Sequence, residues 1–237
     1  MIVHDVQQGS REWYALRLGI PTVSQFGSFI TAAKLQYGAG HKRVVSRLVA
    51  ERILERPVDW GVEDSTIWTD RGTDMEDEAW RWYEAMYGVD TVAVGFVTTN
   101  GGKVGGSPDR LVRVSANDDT WVGGLEIKCR KADNHMKCVL GFDPTADHLQ
   151  VQGYLWLTGL PWWDVLAYNP DLPKRVDRVY PDAETFLAIE SCLDRLASDI
   201  EDAEDKLAAC GGVVRYDERS GHDSLVDELY GSLEVMK

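Results

Sequence analysis

Apolar and polar positions along the 237-residue chain change period twice. Over 10–18 the spacing predicts a short helix capped by Ser10, with Trp13 and Leu16 inward, Glu12 outward and Gly19 closing it. Pro21 and Thr22 start a second helical stretch at 24–30, and 34–40 reads as a loop. A third helix, 41–54, is amphipathic. Val44, Leu48 and Ile53 point inward, while Lys42, Arg43, Arg47 and Arg52 face water or a polyanion. A polar connector at 57–66 leads to a longer helix at 70–87, stopped by Gly88. The period then falls to two. Strands are expected at 91–97, 105–114 and 121–129, joined by turns at 99–102 and 116–119 as an antiparallel meander. A helix at 144–157, an apolar strand at 163–168 and a long acidic helix at 181–209 follow, with Gly211 and Gly212 before a polar tail. The pattern is a mixed α/β (α+β) fold, a mixed central sheet flanked by helices.

Composition adds limits. Hydrophobic residues are 44% and charged residues 27% of the chain, enough apolar side chain to bury a sizeable core. No apolar run approaches the ~18 residues that a membrane span needs, and the first residues lack a basic-then-apolar signal. The expectation is a cytoplasmic protein with no membrane partner. The four cysteines, Cys129, Cys138, Cys192 and Cys210, have no ligand-type spacing, which disfavours zinc-ribbon and iron–sulfur sites.

Net charge is −14, but it is unevenly spread. Residues 1–60 hold 8 basic and 5 acidic side chains, 61–180 hold 12 and 19, and 181–237 hold 5 and 15. A basic segment leads the chain and the acidity gathers at its end, so local patches decide whether a phosphate backbone can be a partner. The basic helix over 41–56, with Arg130, Lys131 and Lys137, can contact phosphates without reading sequence.

The segment richest in chemistry is Ser107-Pro108-Asp109 followed by Glu126-Ile127-Lys128. Asp109 begins one expected strand, and Glu126 lies in the next, 17 residues on. Glu126 and Lys128 are two apart, so a strand puts both on one face. Two carboxylates and an ammonium then converge. Hard divalent cations take such oxygen ligands, and the carbonyl of Ile127 can add a third. A metal there activates water and polarises a phosphodiester, with Lys128 orienting the water or stabilising developing charge.

Several ordered segments resemble the lambda-type phage exonucleases, the YqaJ-like viral recombinases of the PD-(D/E)xK nuclease superfamily. They are Gly9 through Ser24 with Trp13 and Leu16-Arg17-Leu18-Gly19; Arg71-Gly72 with Glu76 and Ala79; Ser107-Pro108-Asp109; Leu125-Glu126-Ile127-Lys128-Cys129; and Gln150-Val151-Gln152 with Trp156, Thr158 and Gly159. The likeness spans about 9–209 and implies a restriction-endonuclease-like core. It implies that Asp109 and Glu126 are metal ligands, with Lys128 orienting the water. Glu76 would reach a second metal or a metal-bound water, and Gln150 would sit beside the site. Arg17, Ser24 and Ser107 would bind a 5′-terminal phosphate. From the residues alone, Glu76 also fits a solvated acidic face with Asp74, Asp77 and Glu78. Arg17 also fits a surface arginine, Ser24 a helix cap and Ser107 a turn. Gln150 and Gln152 cannot share a helical face, so one enters the site and Gln150 is expected to.

The resemblance implies an Mg²⁺-dependent exonuclease, with Mn²⁺ as the alternative ion. It would degrade linear double-stranded DNA 5′ to 3′, leave 3′ overhangs for a single-strand annealing protein, and form a ring-shaped homotrimer in a bacterial host cytoplasm. One nuclease domain is expected over 1–237: a helical end-binding part at 1–66, a catalytic core at 67–180, a C-terminal helix at 181–210 and a polar tail at 211–237. The rivals are a structure- or site-specific endonuclease of the same superfamily and, from the charge, a non-catalytic DNA mimic.

Overall fold

The computed structural model describes residues 1–58, 67–142 and 148–211, with backbone alone over 67–74. In chain order the elements are β1 (Ile2–His4), α1 (Arg11–Arg17), a 3-10 turn (Val23–Gln25), α2 (Phe26–Phe29), β2 (Ile30–Thr31), β3 (Gln36–Tyr37) and α3 (His41–Leu54). Then come α4 (Ile67–Tyr87), β4 (Asp90–Val92), β5 (Phe96–Thr98), β6 (Gly105–Gly106), β7 (Arg110–Arg113) and β8 (Gly123–Lys128). The chain continues through α5 (Ala132–Val139), α6 (His148–Thr158), β9 (Trp163–Ala167), β10 (Arg175–Val179) and α7 (Ala183–Ala209).

A five-stranded sheet in the order β10-β9-β8-β7-β4 is the centre, with β8 and β9 parallel and every other pair antiparallel. Alternation along β8 sends Leu125 and Ile127 to one face, where they pack with Ala79 and Tyr83 of α4. Glu126 and Lys128 therefore point to the other face, toward α6. The larger core lies there: Phe26, Phe29, Leu48, Val151, Leu155, Trp163, Ile189 and Leu196 are buried together. Each such side chain contributes roughly 1.5–3 kcal/mol when fully buried.

Local chemistry sets several boundaries. The Ser10 hydroxyl accepts the Trp13 N–H at 3.2 Å and starts α1. Gln25 turns back to accept the Thr22 N–H at 3.0 Å, fixing the 3-10 turn that presents Ser24. A Cβ on Gly153 would stand 2.8 Å from Val23, so only glycine lets α6 lie this close to that turn. A buried network locks the far edge: Asp164 of β9 takes two bonds from Arg178 of β10, at 2.8 and 2.9 Å, and one from Tyr83 of α4 at 2.6 Å.

Some expectations need correction. The strand expected over 91–97 is two, β4 and β5, in different sheets. The one expected over 105–114 is likewise β6 and β7, with Ser107, Pro108 and Asp109 between them. The 34–40 loop contains β3, which pairs with β2. Ile53 is 65% exposed rather than inward, because α3 turns its buried face through Val44, Leu48 and Val49. β1, α5 and β10 had no counterpart in the sequence reading. Residues 59–66 of the connector, 143–147 at the expected start of the sixth helix, and 212–237 of the tail lie outside the described residues, as do the side chains of Arg71 and Asp74. Among the described residues no helix is long and apolar enough to cross a membrane, and all four cysteines are unbridged.

Candidate active site

β7 pairs with β8 from Val112–Gly123 to Arg110–Leu125, so one step further brings Asp109 level with Glu126. The chain bends there, and the Asp109 side chain takes the place of a backbone acceptor: its Oδ2 receives the Ile127 N–H at 2.6 Å. The N–H and C=O of one strand residue point to the same side, so the Ile127 carbonyl also faces the Asp109 edge. Lys128 belongs to the opposite side of the strand, its carbonyl accepting the Tyr168 N–H at 3.2 Å.

Above this edge three side chains close a ring of hydrogen bonds. The Lys128 ammonium donates to Glu126 Oε1 at 2.7 Å and to Gln150 Oε1 at 3.2 Å. The Gln150 amide donates to the same Glu126 oxygen at 2.9 Å. Glu126 is buried, and a buried carboxylate requires such partners. Gln152 points elsewhere: it donates to the Tyr180 carbonyl at 2.8 Å and accepts the Asp182 N–H at 3.0 Å, pinning α6 to the start of α7.

Glu76 reaches the cleft from α4 and lines a 520 Å³ cavity with Asp77, Trp80, Asp109, Arg110 and Ile127. Partial burial, then the Asp109 charge, pushes its carboxyl up to about 7, against the pull of Lys128. Burial also raises the Asp109 carboxyl, offset by the Ile127 hydrogen bond and by Lys128 and Arg110. The Cys129 thiol is pushed up to about 12 by burial and then by Glu76 and Asp109, so it stays a thiol. Acids crowded in this way favour a cation among them. Among the described residues no group of three or more His, Cys, Asp or Glu side chains is placed to hold a metal ion. The candidate donors are the Asp109 and Glu126 side chains, level with one another across the β7–β8 pair, and the Ile127 carbonyl on the Asp109 edge. This suits an ion such as Mg²⁺, which keeps several waters and takes one or two carboxylates plus substrate oxygens.

The expected phosphate-binding residues are placed as follows. Arg17 stacks on Trp13, with its guanidinium carbon 3.8 Å from the ring centre. Trp13 Nε1 donates to Ser107 Oγ at 2.8 Å, which joins Arg17 to the strand end carrying Asp109. Ser24 is exposed and shares a 3.2 Å hydroxyl contact with Thr22. It lines a separate 330 Å³ cavity together with Gln150, so Gln150 stands between that cavity and the Glu126–Lys128 pair.

Two nearby residues, Tyr154 and Arg110, escaped the sequence reading. Tyr154, stacked on Trp163 with ring centres 5.0 Å apart, donates its hydroxyl to the Ser107 carbonyl at 2.9 Å. Its spacing of four from Gln150 was the available signal. Arg110 adjoins Asp109 and lies 4.3 Å over Trp80, placing that tryptophan in the cleft wall. Arg47 shares a cavity with Arg17.

A family model for the YqaJ-like viral recombinase domain matches residues 12–161. Among solved structures, the chain is similar to an alkaline exonuclease from Laribacter hongkongensis at 27% identity and a TM-score of 0.66, covering 84% of this chain and 98% of that one. The complex of that exonuclease with dAMP matches at 27% identity over the same shares, 84% and 98%, with a TM-score of 0.67. A phage-related exonuclease from Haemophilus somnus 129PT shares the fold at 13% identity and a TM-score of 0.57, over 81% and 98% of the two chains. No curated protein matches the chain. The likeness bears out the mixed α/β fold with a PD-(D/E)xK-type core.

Proposed function

Because the chain belongs to the YqaJ-like viral recombinase domain family, we propose that it is a divalent-metal-dependent exonuclease acting on linear double-stranded DNA. It digests from 5′ ends and leaves 3′ overhangs for a single-strand annealing partner. One observation carries the chemistry: Lys128 meets Glu126 at 2.7 Å on the strand whose next edge binds Asp109.

Asp109, Glu126 and the Ile127 carbonyl would hold the ion, Mg²⁺ or Mn²⁺, with Glu76 serving a second ion or an intervening water. The ion supplies Lewis-acid polarisation of the scissile phosphodiester. The remaining work falls to the chain. Lys128 orients the attacking water and stabilises negative charge gathering on the phosphorus oxygens. Gln150, bonded to both Lys128 and Glu126, would hold the ammonium and the carboxylate in place. Arg17, Ser24 and Ser107 bind the 5′-terminal phosphate, which fixes the distance from the end to the scissile bond.

The reading extends to one nuclease domain, with an end-binding part at 1–66, a catalytic core at 67–180, a helix at 181–210 and a tail at 211–237. It also extends to a ring-shaped homotrimer working in a bacterial host cytoplasm. A ring retains by enclosure a DNA that sequence-independent contacts would otherwise release. The test is a time course on linear duplex labelled at the 5′ or the 3′ end. Early release of the 5′ label, dependence on Mg²⁺ or Mn²⁺, arrest by chelation and an untouched covalently closed circle are expected. Cutting of the circle would make the protein an endonuclease instead.

A further inference from the structure

We infer that the end of the chain folds back on its own molecule, residues 225–236 lying as an amphipathic helix in the apolar groove between α3 and α7. The inference is independent of the exonuclease reading. α3 and α7 pack against each other, and the groove along their contact has a volume of 610 Å³. Val45, Val49, Ala50 and Ile53 of α3 line it, with Ala203 and Leu207 of α7. Ile53 is 65% exposed, and Leu54 beside it 47%. Single apolar side chains on a surface need no explanation, but a continuous apolar trough between two helices is a surface suited to a partner.

The chain itself supplies that partner. α7 ends at Ala209, less than a turn beyond Leu207, so the residues after Gly211 set out from one end of the groove. Residues 212–237 lie outside the described residues, but their sequence is not polar throughout. Leu225, Val226, Leu229, Tyr230, Leu233 and Met236 fall within about 140° of arc at the helical 100° per residue. Asp227, Glu228 and Glu234 fall on the remaining arc. Ser224, with Asp227 three residues on, is a helix-start pattern. A helix this short is marginal alone in water, so its formation depends on a surface that takes its apolar face.

Length and charge fit the groove. A helix over 225–236 is about 18 Å long, as is the stretch of α3 from His41 to Ile53 that lines the groove. The intervening 212–224 can span about 40 Å, so the helix can run either way along it. Exposed Lys42 and Lys206 belong to the lining, where acids on the polar arc of the helix can meet them. Of the two acids there, Asp199 already accepts the Tyr37 hydroxyl at 2.6 Å and stands 3.6 Å from His41, which leaves Asp202. The tether also selects whose groove is filled. A short linker holds the helix at an effective concentration of about millimolar, which favours its own groove over that of a second copy.

The test places a photoreactive p-benzoylphenylalanine in the full chain, either at Leu229 on the apolar arc or at Glu228 on the polar one. Irradiation of the first protein should give a product of one-chain mass on a denaturing gel, at a yield independent of protein concentration. Mass spectrometry should map that cross-link to 41–53 or 199–207, and the Glu228 position should give far less of it. Hydrogen exchange supplies the second readout. Leu229→Asp and Leu233→Asp, neither of which touches the described core, should each speed amide exchange over 49–54 and 203–207 at least about tenfold, the scale of one buried leucine. Exchange in β8 and β9 should not change. A product of two-chain mass puts the segment on a second copy, and a one-chain product that maps elsewhere puts it on another face. Either overturns the inference, as do equal cross-linking from the two positions and unchanged exchange in the aspartate variants.

Discussion

Replacing Lys128 by Met removes the ammonium from the centre of the proposed site and nearly preserves side-chain length. Its Nζ lies 2.7 Å from a carboxylate whose side chain is 4% exposed, while the lysine itself is 21% exposed. Removing one partner of a buried pair costs about 3–5 kcal/mol. Here the Gln150 bond to Glu126 survives and the lysine end is open to water, so about 2–3 kcal/mol is the better figure. For a domain of this size that is about 4–12 °C in melting temperature. Activity should fall further than stability, because loss of one preorganised charge-stabilising group costs about 10²–10³ in kcat. The two effects separate with metal. A divalent ion between Asp109 and Glu126 replaces the lost positive charge, so millimolar Mg²⁺ should restore more melting temperature to Lys128→Met than to wild type. The same addition should leave the variant's digestion rate low. A folded Lys128→Met that digests linear duplex at nearly the wild-type rate refutes the assignment.

Asp109→Asn keeps an oxygen for the Ile127 N–H but weakens the ion site. It should melt near wild type, lose the metal-dependent shift in melting temperature, and fail to release nucleotides from linear duplex. Arg17→Ala should slow digestion of 5′-phosphorylated ends far more than of 5′-hydroxyl ends in a paired substrate assay, and equal losses would count against a terminal-phosphate pocket. Arg178→Met leaves the Asp164 carboxylate, 1% exposed, to its Tyr83 hydrogen bond and should destabilise by about 2–3 kcal/mol in chemical denaturation. It should leave metal affinity unchanged in calorimetry below the melting transition, because the network lies on the β9–β10 edge, away from Asp109.

What the residues disclosed in advance follows from which interactions are local. A period of two is enough to put Glu126 and Lys128 on one face, and the structure places them 2.7 Å apart. Helical geometry alone separates Gln150 from Gln152, and the two do face opposite duties. The bounds of α3 came out as expected at His41–Leu54, but its faces did not, since Ile53 is exposed and Glu51 is buried. The breaks in the strands were invisible because their causes are distant. A Cβ on Gly95 would stand 1.8 Å from the Val6 carbonyl, so the N-terminal segment bends the chain between β4 and β5. β10 escaped notice because Arg175, Asp177 and Arg178 read as loop. Its strand is stabilised by charge pairs, Arg175 with Asp177 and Arg178 with Asp164, rather than by alternating apolar residues. Arg47 was read as facing water or a polyanion, since nothing in the sequence places Gly19 against Glu51, its ion-pair partner.

The charge of −14 does not decide how this protein meets DNA, and salt dependence provides the test. α7 buries Ile189, Cys192, Leu196 and Ile200 against the larger core and turns Glu184, Glu190, Asp194, Glu201, Asp202 and Asp205 to solvent. The cations that line the cavities near the site, Arg17, Arg47 and Arg110, come from α1, α3 and β7. At physiological ionic strength the screening length is about 8 Å, so an acid of α7 opposes a phosphate seated on those cations only from within about that distance. Affinity for duplex ends should therefore fall with salt as it does for a basic protein. The slope of log K against log salt should be about −0.9 for each phosphate engaged, hence about −3 for three contacts. Binding titrations with Ca²⁺ in place of Mg²⁺, at several potassium chloride concentrations, would measure it. A slope of zero or above would mean that the distributed acidity governs the encounter, and the local pocket would lose its role in holding the end.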